Sequence, residues 1–185
     1  MSLNDVERGC LLTLAKASIA HGLAHGRPLP VNLADYPAKL TEPAATFVTL
    51  ELDGQLRGCI GRLEAARPLA EDVAENAYAA AFRDSRFPPV TAAESARLSL
   101  YISVLSPSEP LYFASETDLL GQLRPGIDGL ILSEGGRRGT FLPSVWEDLP
   151  DPAEFLRHLK RKAGLPADYW SSTVKIQRYS TEMFG

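Results

Sequence analysis

Apolar residues along this chain change period at definite points, and those changes divide it into helices and strands. Val6, Cys10, Leu11, Leu14 and Ser18 recur at helical spacing, which predicts an amphipathic helix with these positions inside. Asn4 stands where a capping side chain accepts from free amides, and Glu7 completes a capping box; Gly22 or Gly26 ends the element. Residues 27–43 are broken by prolines, show no period and read as a surface connection. Strand formers fill 46–52, Asp53-Gly54 supplies a left-handed turn, and 55–60 returns, so a hairpin is expected. Pro68 marks the start of a second helix with Leu69, Val73, Ala77 and Ala80 as its buried stripe, and Pro88-Pro89 requires it to stop by Phe87.

The second half follows the same logic. Thr91 and Glu94 cap a short helix, and Leu98, Leu100, Ile102 and Val104 alternate as a half-buried strand. Ser115 and Asp118 begin another short helix that Pro125-Gly126 ends. Residues 129–133 and 137–142 form a second hairpin around Glu134, Gly135 and Gly136. Asp151-Pro152 opens a helix with Phe155, Leu156, Leu159 and Ala163 inside, and Gly164 and Pro166 close it; a last strand covers 173–179. Hairpins interspersed with helices, without strict βαβ alternation, indicate an α+β fold with a mostly antiparallel sheet flanked by helices.

Composition narrows the function classes. The chain has 185 residues, 45% hydrophobic and 23% charged, which is ordinary globular usage. No apolar run has the length of a membrane span and the first residues lack a signal-peptide pattern, so a cytoplasmic location is the expectation. A net charge of −4 argues against binding nucleic acid through its phosphates. Cys10 and Cys59 alone cannot hold an iron–sulfur cluster or a cysteine-rich zinc site, and no metal or cofactor site is expected.

The candidate chemistry gathers at residues 56–61, Leu-Arg-Gly-Cys-Ile-Gly. Strand alternation places Leu56 and Ile60 toward the core and Arg57 and Cys59 together on the other face, about 7 Å apart. Gly58 and Gly61 leave room for a ligand or another backbone to come close. A glycine-bordered cysteine beside an arginine suits a nucleophile, with Arg57 favouring the thiolate or an anionic substrate. The plainer alternative is a small buried cysteine in a tight strand, with Arg57 in a structural ion pair.

Gly54, Gln55 and residues 56–61 resemble the signature of the AMMECR domain family. The resemblance continues through Asn76-Ala77, residues 80–90, 102–106, 126–129 and 139–146, Phe155-Leu156 and residues 162–165, almost the whole chain. It is nearest to the bacterial form found as the A component of the AmmeMemoRadiSam system. The resemblance implies a single AMMECR-type domain over 1–185, with a larger and a smaller α/β subdomain and a cleft between them. It also implies association with a Memo-like protein and a radical SAM protein, which would own the iron–sulfur and SAM chemistry. Ser85 departs from the proline that many relatives place in the segment Asp84-Ser85-Arg86-Phe87, leaving Asp84 and Arg86 in place.

These readings make Cys59 and Asp84 the catalytic candidates, Asp84 as a general base, and Arg57, Gly58, Gly61, Asn76 and Arg86 the candidates for binding a small ligand. The alternative for Arg83, Asp84 and Arg86 is a salt-bridge cluster at a helix end. His21 and His25 stand one helical turn apart without a third ligand, and the basic run from Arg157 to Lys162 reads as a solvated helix face. Two functions follow: an enzyme subunit acting through a cleft at residues 56–61, or a non-catalytic binding module in the same complex. RNA binding through the basic helix ranks below both.

Overall fold

The computed structural model describes residues 2–185. In chain order its elements are α1 (Asp5–His25), β1 (Pro43–Leu52), β2 (Gln55–Gly61), β3 (Arg67–Pro68), α2 (Leu69–Phe82), α3 (Ala92–Ser95) and β4 (Leu98–Leu105). There follow β5 (Glu109–Leu111), α4 (Glu116–Gln122), β6 (Gly129–Glu134), β7 (Arg137–Phe141), α5 (Pro152–Lys162), β8 (Lys175–Tyr179) and β9 (Thr181–Phe184). They form two compact units, one running to Leu105 and including Glu182–Gly185, the other Ser106–Thr181. Both sheets are antiparallel wherever their pairing is registered, and the fold is α+β.

In the first unit the strand order is β2-β1-β4-β9, with β3 on β1. Side chains of β1 alternate: Ala44, Val48 and Leu50 join the core formed with α1 and α2, while Phe47 and Thr49 lie on the opposite face. Asn4 and Glu7 make the expected capping box, and Gly26 ends α1 in the left-handed region with φ of 67°. The buried stripe of α1 runs through Leu11, Leu14, Ala15, Ser18, Ile19 and Gly22, whereas Val6 is 78% exposed. Leu11, Leu14 and Ser18 lie inside as the periodicity predicts and Cys10 packs at the margin of the core; only Val6 does not, and Glu7 takes the first inward position. α1 and α2 are also bonded together: Ser18 Oγ donates to the Ala74 carbonyl at 2.7 Å, and the Tyr78 hydroxyl to Gly26 O at 2.7 Å. β9 ties the carboxyl end to the amino end, since the Glu182 carboxylate accepts from the Leu3 amide and from Arg8.

The second unit has strand order β5-β8-β6-β7 and packs α5 over a core of Leu130, Leu132, Phe155, Leu156, Leu159 and Ile176. Trp146 plugs this core: its ring stacks on Phe155 at 3.7 Å between centroids, and its Nε1 donates to the Asp128 carbonyl at 2.7 Å. The basic run on α5 is not all solvated. Lys160 is buried, donates to Glu116 at 2.6 Å and lies over the Trp170 ring. Burial of an ammonium is tolerable here because a carboxylate and an aromatic face replace its water. Among the described residues no helix is long and apolar enough to cross a membrane.

One contact fixes how β2 meets α2. A Cβ added at Gly58 would overlap the main-chain carbonyl of Ala80, and backbone cannot yield as a flexible side chain does. We expect Gly58→Ala to lower stability by about 3 kcal/mol, read as a reduced urea midpoint, while Gly54→Asn in the adjoining turn changes it little.

Candidate functional site

Asp53 and Gly54 both adopt positive φ, 53° and 79°, giving the two-residue turn that sets the register of β2 against β1. That register is interrupted: Leu50 faces Gly58 but Glu51 faces Leu56, so Arg57 is an extra residue. Such a bulge breaks the alternation on which the outward pair was reasoned. Leu56 faces Glu51 and is 45% exposed, not in the core, while Ile60 does pack against the core. The residue sharing the outer face with Cys59 is therefore Leu56. Arg57 turns away and is buried, at 8% exposure.

Arg57 is held in a forked ion pair, Nε and Nη2 donating to the two Glu94 oxygens at 3.0 and 3.2 Å. Glu94 is positioned by its own capping box with Thr91. The Arg57 bonds, followed by the Thr91 amide, hold the Glu94 carboxyl down to about 2 from its ordinary 4.5. Arg57 thus ties β2 to α3 through Glu94, while its Nη1 is buried without a hydrogen-bond partner among the described residues.

Asp84 and Arg86 complete the edge of β2. The Cys59 amide donates to Asp84 Oδ2 at 2.9 Å, and Arg86 Nη2 donates to the Cys59 carbonyl at 3.3 Å. Arg86 also chelates Asp84, Nε to Oδ1 at 3.0 Å and Nη2 to Oδ2 at 2.7 Å, and its amide donates to Oδ1 at 3.1 Å. The two side chains occupy the hydrogen-bonding positions that a further strand would otherwise fill. The Arg86 bonds, aided by the Cys59 amide, hold the Asp84 carboxyl far below the usual carboxylate range. The carboxylate expected as a general base is engaged here by the Arg86 guanidinium and the Cys59 amide.

Cys59 itself is a half-buried free thiol. Its Sγ stands 3.3 Å from the Thr49 hydroxyl, the one hydrogen-bonding neighbour it has among the described residues. Arg86 reaches this residue through its backbone, Nη2 donating to the Cys59 carbonyl, and its own guanidinium is held protonated first by its bonds to Asp84. Gly58 admits the Ala80 carbonyl, and Gly61 admits the Phe47 ring and the Thr46 carbonyl, so both glycines serve close packing within the fold.

Asn76, expected as a ligand contact, is buried, and its amide nitrogen is engaged within the fold. Its Nδ2 donates to Thr46 O, Thr46 Oγ1 and Asp72 Oδ2 at 3.1, 2.9 and 2.9 Å. Asp72, missed in the sequence, is the centre of this knot; Oδ2 also accepts from the Thr46 amide at 3.0 Å and hydroxyl at 2.7 Å. Burial raises its carboxyl above the ordinary value, although Arg62 and Arg67 approach Oδ1 at 3.6 and 3.7 Å. Its i,i+4 spacing from Asn76 on an otherwise apolar helix face was the available signal. Glu94 was seen only as a cap. The His21 and His25 rings lie tilted at 40° with centroids 4.3 Å apart, and among the described residues no cluster of three or more His, Cys, Asp or Glu is placed to hold a metal.

The sequence matches the AMMECR1 family over residues 12–184, and the chain belongs to that family. A protein from Methanothermobacter thermautotrophicus is 38% identical over 184 residues, 98% of this chain and 95% of that one. One from Thermotoga maritima is 41% identical over 143 residues, covering 76% and 77% of the two chains. The crystal structure of the uncharacterised protein PH0010 from Pyrococcus horikoshii superposes with a TM-score of 0.91 at 34% identity, covering 98% of this chain and 92% of that one.

The lowered carboxyls set an acid limit on stability. Asp84 and Glu94 stay ionised in the folded state at pH values where they would protonate in the unfolded chain. Their contribution is complete above the ordinary value of 4.5 for Glu94 and is lost as pH falls toward about 2. Asp84→Asn should cost about 2 kcal/mol at neutral pH and flatten the acid limb of a stability–pH profile measured by chemical denaturation. Asp72, shifted the opposite way, is common to both proteins and cancels in their difference.

Proposed function

We propose that this AMMECR-family chain is a non-catalytic binding module that presents the rigid outer face of β2, with Leu56 and Cys59, to a partner. The carrying observation is that the charged groups nearest Cys59 are spent on one another and on the backbone. Asp84 and Arg86 grip the Cys59 peptide, and Arg57 and Glu94 grip each other. Groups fixed in this way immobilise a surface in advance, which reduces the ordering cost of association. Leu56, exposed beside the thiol, supplies apolar contact area there. The A component of an AmmeMemoRadiSam system fits this reading, with a Memo-like and a radical SAM protein as partners and the redox chemistry residing in them.

The competing reading is an enzyme subunit in which Cys59 attacks a small ligand. The free, half-buried thiol favours it, with the Arg86 guanidinium 3.3 Å from the carbonyl of the same residue. Reactivity separates the two. In the native protein Cys59 should alkylate with iodoacetamide at pH 7 no faster than an ordinary exposed thiol. Cys59→Ser should co-purify with the Memo-like and radical SAM proteins of the same genome, and Leu56→Glu should lose them. Alkylation about tenfold faster than an ordinary thiol, within the roughly 30-fold that full ionisation of a thiol of ordinary pKa allows at pH 7, would establish the catalytic reading instead.

A further inference from the structure

The second unit carries a cavity distinct from the β2 site. It has a volume of about 450 Å³ and is lined by residues of β5, β6 and β8 and of the segments joined to them. That volume lies in the range of small-molecule sites, about 300–1,000 Å³. Leu111, Val174 and Ile176 give it apolar walls, and Tyr112 and Phe113 give it aromatic ones. Tyr112 is 82% exposed, an unusual position for a large ring that stabilises nothing inside the fold. Its backbone is nonetheless fixed, because Gln122 donates to the Tyr112 carbonyl at 2.9 Å. Phe113 is braced against Trp170 at 5.6 Å between centroids. The Phe113 ring and the backbone that carries Tyr112 are therefore held in place before anything binds.

The cavity adjoins a second concavity of about 300 Å³ at the tip of the β6–β7 hairpin, and Ser133 and Lys175 line both. Arg137 brings a further positive charge to this end, and Glu134 a carboxylate. Arg137 Nη1 is engaged by the Gly164 carbonyl at 2.6 Å, and Glu134 Oε1 by the Tyr169 and Thr173 hydroxyls, both at 2.7 Å. The hairpin turns through Gly135 and Gly136, both at positive φ. Among the described residues, the side chains of Ser133, Ser172, Lys175 and Gln177 have no intramolecular hydrogen-bond partner, which leaves an ammonium, two hydroxyls and an amide facing the cavity.

We propose that this groove binds a small planar aromatic molecule carrying an anionic group, of which a nucleoside monophosphate is the type. The ring lies against Tyr112 and Phe113, and the anion sits at the junction on Lys175 and Ser133, near Arg137. Aromatic stacking is tolerant of ring identity, whereas the ammonium demands the negative charge. The site is independent of the β2 face and of any function assigned there.

Calorimetric titration of the full chain with adenosine, guanosine and uridine monophosphates, each compared with its nucleoside and with inorganic phosphate, tests this. Salicylate serves as an aromatic carboxylate. Saturable binding is expected for the nucleotides or for salicylate, and whichever binds more tightly identifies the anion as phosphate or carboxylate. Tyr112→Ala should weaken binding about tenfold, the scale of one lost stacking partner. Lys175→Gln should remove the preference for the charged ligand over its uncharged counterpart. Both side chains are exposed, so the variants should unfold at the wild-type urea midpoint. Absence of saturable binding by all of these probes at millimolar concentration would overturn the proposal, as would binding that neither substitution alters.

Discussion

The first unit depends on how the outer edge of β2 is finished. A strand with no neighbour leaves amide and carbonyl groups without partners and invites pairing with another chain. Here a carboxylate and a guanidinium, two residues apart in the sequence and already joined to each other, take the amide and the carbonyl of a single residue, Cys59. Because both side chains come from the turn after α2, the same bonds anchor that turn to the sheet. Close passage of α2 over β2 then requires glycine at 58, and the bulge at Arg57 lets the strand reach α3 without losing that passage. A signature rich in chemically active residue types is accounted for largely by the demands of an edge.

Much of this architecture was legible in the sequence, for identifiable reasons. Helix starts were readable because caps are local: Asn4, Thr91, Ser115 and Asp151 each accept from an amide three residues on. Both hairpins were readable because their turns need residues that tolerate positive φ. β5 and β9 were missed; at three and four residues they are too short to establish a period and exist because a sheet edge is available to them.

The site was legible in location and not in arrangement. Residues 56–61 and 84–86 do converge, but their partners lie far along the chain, as with Arg57 and Glu94 at a separation of 37 residues. Alternation assumed an unbroken ladder, and a single extra residue exchanged the positions of Leu56 and Arg57. Resemblance had grouped Asn76 with the site, yet that side chain answers to Asp72 and Thr46 in the interior. Function-like residue types and structural need are hard to separate in a sequence, because both draw on the same charged and amide side chains.

The return of the chain through β9 bears on the order of assembly. The first sheet takes in β4 at Leu98–Leu105 and its last strand only at Thr181–Phe184, after the whole second unit has intervened. On a ribosome, the second unit's strands and helices emerge together and precede β9, so that unit has all its sequence before the first has its own. The amino-terminal segment waits longer still, since the carboxylate that receives the Leu3 amide and Arg8 belongs to Glu182. Early in synthesis, then, β4 is an open sheet margin awaiting the end of the chain, and the inserted unit acts as a tether that sets how soon that margin closes.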